Sequence, residues 1–194
     1  MKQPFQYTSR REKTYYIRAI PNRNGTLRYS LTQKADAPNL LAEVPAGFEV
    51  VEYPFQAKVV IRKKVPNWVK EEERAVVRQA MEEYSPVNDF LLETDRGEIL
   101  IHVSQFNHFE ESGYLSQEEA KAQWGENVHL WITYDWLLSF RRPSQKSKKW
   151  QVIVNAPFAG EAFIIESGTN LSELAATFCA HVGKDSLFDF LEPE

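Results

Sequence analysis

Apolar and polar positions alternate with a period of two through most of the first third of the chain. Residues 15–20 (YYIRAI) alternate and stop at Pro21, and Asn24-Gly25 supplies a turn before Leu27, Tyr29 and Leu31. Alternation around a Pro/Asn/Gly loop predicts a β-hairpin. A connector with Pro38, Pro45 and Gly47 bars continuous regular structure, and residues 48–53 and 57–63, parted by Pro54, predict two more strands. Four strands within the first 65 residues predict a small antiparallel sheet.

The period changes after Pro66. Val69, Val76, Val77, Ala80, Met81 and Tyr84 recur at helical spacing, and Glu71, Glu72 and Glu73 fill a first turn, where the helix dipole favours anions. A helix over 68–84 is expected, ended by Pro86. Residues 90–92 and 98–103 flank Asp95-Arg96-Gly97, a hairpin signal. A polar helix is expected over 116–124, with Ser116 and Glu119 spaced as a capping box. The run 128–140 is too long and too uniformly apolar for a surface strand; it reads as a buried strand to Tyr134 and then a helical turn with Trp136, Leu137 and Phe140. Residues 150–154 and 162–165 make a further hairpin around Pro157 and Gly160. Last comes a helix with Asn170 and Glu173 as its cap and Leu171, Leu174, Ala175, Phe178 and Val182 as one apolar stripe, followed by Gly183 for a left-handed turn and Asp185 to cap a final short helix. The expected fold class is α+β: a β-rich part, 1–65, packed on an α+β body, 66–194, as one compact unit.

Charge changes this picture more than composition does. The total is −4, but residues 1–65 carry 12 Lys/Arg against 5 Asp/Glu, and residues 66–140 carry 5 against 15. Residues 141–150 (RRPSQKSKKW) have 5 basic groups and no acid, and 151–194 have 1 against 7. Such segregation implies contact with a polyanion, or one block neutralising another. At 43% hydrophobic and 194 residues the chain can fill a core. No apolar run reaches the ~20 residues a membrane helix needs. The N-terminus lacks the apolar centre of a signal peptide, and a single cysteine excludes an internal disulfide framework. A cytoplasmic location, without membrane, is expected.

Two stretches carry a resemblance. YYIRAIPNRNGTLRYSLTQKA, followed by EVPAGFEVVEY and VVIRKK, resembles the opening of a family of bacterial proteins that share a tyrosine-rich hairpin and a P-x-G-[YF]-E turn. HVGKDSLFDFLE is similar to the ending of the same proteins, where His-x-Gly precedes a Ser-[FL]-Phe run. The resemblance implies a shared fold; no activity is established for that family, and no catalytic residue is carried over.

The candidate site is basic. Arg18, Arg28, Lys58 and Arg62 fall on the polar parity of the N-terminal strands, with Tyr16 among them, and cations interleaved with an aromatic suit single-stranded nucleic acid. Arg141, Arg142, Lys148 and Lys149, with Lys146, crowd one loop and suit phosphates by charge alone. A solvated loop that keeps flanking apolar strands apart is the plainer alternative. For metal, His102, His108, Glu110 and His129 have the right ligand types, but their spacing matches no known pattern. Asp89, Glu93, Asp95 and Glu98 surround a hairpin without the Glu-x-Lys a metal-dependent nuclease uses, and turn acids explain them. Cys179 and His181 lie two apart on a helix, about 200° around, so they do not face each other. No metal, cofactor or catalytic residue is expected. The expected function is a non-catalytic interaction protein whose partner is a protein or a nucleic acid; the alternative is an enzyme acting on a phosphate-bearing substrate.

Overall fold

The alternation of the first third folds as its parity dictates. In a computed structural model, which describes residues 3–107 and 117–191, β1 (Tyr7–Thr8), β2 (Thr14–Pro21) and β3 (Leu27–Thr32) form an antiparallel sheet in that order. Ile17 stands opposite Leu31 and Ala19 opposite Tyr29, and Ile17 is buried. Direct cross-strand partners share a sheet face, so these residues make the inner side and Arg18, Arg28 and Ser30 the outer one. The connector returns to the same strand: Leu41 N–H donates to the Ile17 carbonyl and Ala19 N–H to that of Asn39.

β4 (Phe48–Glu52) and β5 (Val59–Lys63) form a separate antiparallel pair. All four expected strands are present, but in two sheets rather than one. Tyr29 meets Phe48 edge to face at 4.9 Å, and Tyr7 donates its hydroxyl to Glu52 at 3.0 Å, so the two sheets share an interior. Glu52 also accepts the Arg10 backbone N–H and faces the Arg10 guanidinium at 3.2 Å. Burial, and then the carboxylate of Glu52, push the Tyr7 phenol up to about 12.

The chain divides into two compact units, 1–64 with 127–131, and 65–126 with 132–194. The second unit is a five-stranded antiparallel meander, ordered β10-β9-β8-β7-β6, with three α-helices among the described residues. Its strands are β6 (Phe90–Asp95), β7 (Glu98–Ser104), β8 (Tyr134–Arg141), β9 (Trp150–Ala156) and β10 (Glu161–Gly168). α1 (Glu71–Tyr84) and α3 (Leu171–Cys179) pack on each other. Val77, Ala80 and Met81 of α1 and Ala175 and Phe178 of α3 share one core with Ile99, Ile101, Val103, Leu138, Phe140, Val152 and Val154 of the sheet. The mixture of helices and antiparallel sheets is an α+β fold.

α1 begins three residues later than the periodicity suggests because Trp68 has another task. Its indole lies against Gly97 in the β6–β7 turn, so closely that a Cβ on Gly97 would come within 2.1 Å of the ring nitrogen. Glu73 caps the helix, accepting from the Lys70 N–H at 2.8 Å. Asn170 caps α3, accepting from the N–H groups of Ser172 and Glu173, and Gly183 is left-handed with φ +85°. Ser116 lies outside the described residues; α2 covers Gln117–Trp124. After α3 the expected short helix is two 3-10 turns, Asp185–Leu187 and Asp189–Leu191.

Residues 126–141 correct the sequence reading. The helical turn comes first, as a 3-10 segment Glu126–Trp131, and the strand follows as β8 with Trp136, Leu137 and Phe140 in it. β8 is the central strand, paired on both edges and covered on both faces for most of its length. Such a strand loses the polar alternation that marks a half-buried one. A bulge opposite Ile101/His102 turns Leu137 as well as Leu138 into buried positions, which also erases the period of two.

Candidate functional site

The β8–β9 hairpin takes a cluster of like charges and separates it by position. Arg142, at the base, is held by several neighbours. Its guanidinium contacts the Trp68 carbonyl, lies 3.1 Å from Glu73 Oε2 and stacks 4.8 Å from the Trp150 ring centroid, and its backbone N–H donates to the Gly97 carbonyl. Its side chain is 13% exposed. Glu73 thus caps α1 and pairs with Arg142, tying helix, hairpin base and the β6–β7 turn together. Arg141 donates to Gln151 Oε1 on the neighbouring strand at 3.3 Å.

Beyond the base the cations stand apart. Lys146, Lys148 and Lys149 are exposed, and none has an acidic partner among the described residues. The tip is fixed by its own bonds: Ser147 N–H donates to the Ser144 carbonyl, and the Ser147 hydroxyl accepts from Lys149 N–H at 3.1 Å and donates to its carbonyl. Three ammonium groups are therefore presented on a turn whose backbone is already ordered.

The four cations of the first unit also differ among themselves. Arg62 pairs with Glu49 directly across the β4–β5 ladder at 2.9 Å and lies over Tyr53. Arg18 donates to Ser30 at 3.0 Å. Arg28 and Lys58 are exposed and carry no ion pair among the described residues. The strand parity expected from the sequence holds for Arg18 and Arg28 on the outer side of β2–β3 and for Arg62 on the parity opposite Val59 and Ile61, while Lys58 lies just before β5.

The remaining candidates find separate partners. Among the described residues no three His, Cys, Asp or Glu side chains gather as a metal would need. His108 and Glu110 lie outside the described residues, as does the side chain of His129. His102 Nε2 lies 3.1 Å from Glu93 Oε2, Tyr134 donates to Asp89 at 2.8 Å, and Glu98 accepts from Ser139 at 2.6 Å. The Cys179 thiol is in the core, where burial pushes it up to about 12, and His181 Nδ1 lies 2.8 Å from the Ser186 hydroxyl.

Sequence reasoning missed the polar side of the five-stranded sheet. Glu98, Arg141 and Gln151 form one row across β7, β8 and β9, next to Ser139 and His102. A serine, a histidine and two glutamates on one face invite a hydrolase comparison. The needed contact is not made, since the Ser139 hydroxyl goes to Glu98 and His102 turns to Glu93. The signal was present only as one or two polar residues within otherwise apolar strands: Glu93, His102, Ser139, Gln151 and Asn155. No family model, curated protein or solved structure matches the chain.

Proposed function

We propose that this chain is a non-catalytic interaction protein that contacts the phosphate backbone of a nucleic acid through exposed lysines and arginines. The tip of the β8–β9 hairpin carries the reading. Lys146, Lys148 and Lys149 are exposed on a turn ordered by Ser144 and Ser147 and have no acidic partner among the described residues. Ammonium groups so placed bind phosphate by releasing counterions, with little dependence on base sequence. Arg28 and Lys58 of the first unit belong to the same class of exposed cation, while Arg62 and Arg142 serve as internal ion pairs.

The direct test is an electrophoretic shift with single-stranded RNA, single-stranded DNA and duplex DNA, each at two salt concentrations. Binding at low salt that weakens steeply with added salt is expected, with little preference among base sequences. Failure of the wild-type protein to shift any of the three at low salt removes the proposal.

A further inference from the structure

The two edges of the five-stranded sheet are finished differently. β6 is half-buried along its length, lies beside α1, and has its Thr94 hydroxyl bonded by Asn67. β10 is bonded to β9 on one side only, and no strand pairs with its outer side among the described residues. Glu161, Ala162, Phe163, Ile164, Glu166 and Ser167 are all exposed. Phe163 is 37% and Ile164 53% exposed, on alternate parities of the strand. Phe158, in the turn that leads into β10, is 74% exposed, and its ring meets Phe188 at 5.2 Å. The Asp189–Leu191 turn, with a 39% exposed Phe190, lies against β10.

An outer strand leaves the N–H and C=O groups of alternate residues facing solvent, a template for another extended chain. Here that template has aromatic and aliphatic side chains but neither the proline nor the lysine that commonly guards an edge. A bulge at Ile165 bends the strand after Ile164, so the straight ladder runs over 161–164.

Charge selects the occupant. β10 carries Glu161 and Glu166 and no cation, and residues 151–194 hold 7 Asp/Glu against 1 Lys/Arg. A second copy laid antiparallel on the edge would add its own glutamates to the same ladder with no base opposite them, and like charges across a ladder destabilise it. We propose that the outer edge of β10 takes up an extended segment of another protein, apolar at alternate positions and bearing lysine or arginine opposite Glu161 and Glu166. Backbone hydrogen bonds supply the affinity, Ala162 and Ile164 on one parity meet the apolar side chains, and the two glutamates on the other fix the charge of the guest. This interaction is separate from the lysines of the β8–β9 tip.

The intact chain is to be titrated with two labelled, end-blocked decapeptides, one alternating valine and lysine, the other alternating valine and glutamate. The lysine peptide should bind about ten-fold more tightly, the effect of two cross-strand charge pairs changed from like to opposite sign. It should slow amide exchange within 161–168. Glu161→Lys with Glu166→Lys should reverse the preference between the peptides, and Ile164→Lys should weaken the lysine peptide, both with unchanged melting. Equal binding of the two peptides, no binding of either, or protection elsewhere than β10 would overturn the proposal. Concentration-dependent dimerisation of the free protein abolished by Ile164→Lys would also overturn it, assigning the edge to a second copy.

Discussion

The base and the tip of the β8–β9 hairpin are written in one run of ten residues, RRPSQKSKKW, yet they hold their charges in opposite ways. Arg142 sits where α1, the β6–β7 turn and Trp150 converge, and its charge is matched by Glu73. Lys146, Lys148 and Lys149 lie beyond the last paired residues, Arg141 and Gln151, and are matched by no acid among the described residues. A planar guanidinium can bond a carbonyl and a carboxylate and stack on an indole at once, whereas an ammonium is a hydrated point charge. In this hairpin the arginine just past the strand end serves the fold, and the lysines farther out are exposed with no acidic partner among the described residues.

Substitutions should expose that division, beginning with the largest effect. Phe178→Ala removes a ring that is 5% exposed in the common core and should cost about 3–5 kcal/mol in denaturant unfolding, setting the scale for full core loss. Near-wild-type stability would show that the α3 stripe is not core. Arg142→Ala strips the pairing from Glu73 and the Trp68 carbonyl and should cost about 2–3 kcal/mol, as loss of hydrogen bonds to a charged group does. Arg142→Lys should recover only part, because one ammonium cannot keep both bonds and the stack.

Gly97→Ala strikes the same junction from the other side. Its Cβ would lie 2.1 Å from the Trp68 ring nitrogen, so the indole must move, at about 1–3 kcal/mol for an overpacked site. A shift in tryptophan fluorescence should accompany the destabilisation, and an unchanged spectrum would contradict the placement of Trp68.

Titration probes the Tyr7–Glu52–Arg10 cluster of the first unit. The Tyr7 pKa is raised to about 12 from an ordinary 10, so folding favours the protonated phenol. Its contribution is full below pH 10 and is lost as pH rises towards 12. Thermal melts from pH 9 to 12 should show that loss, and Tyr7→Phe should flatten it. The smallest expected effect on stability is at the tip, where replacing Lys146, Lys148 and Lys149 together by alanine should change unfolding by no more than about 0.5 kcal/mol.

Where a local rule decides the conformation, the sequence was legible. The parity of β2 and β3 placed Ile17 and Tyr29 inside and Arg18 and Arg28 outside, and Asn170 marked the start of α3. β8 was misread because a central strand covered on both faces carries no alternation, and its bulged Leu137 imitates a helical neighbour of Leu138. The role of Arg142 was hidden for a different reason. Glu73 and Trp68 are 69 and 74 residues away in the chain, and nothing near Arg142 in the sequence announces them. The candidate site was therefore legible as a group of cations but not as a division between paired and unpaired ones.

That division is tested most directly by the salt dependence of binding to duplex DNA, measured by fluorescence anisotropy for wild type and for the variant with Lys146, Lys148 and Lys149 replaced by alanine. The account predicts weaker binding for the variant and a plot of log K against log salt that is shallower by about 0.9 for each phosphate the variant no longer neutralises, at unchanged stability. A variant that binds with the affinity and the slope of the wild type would contradict it.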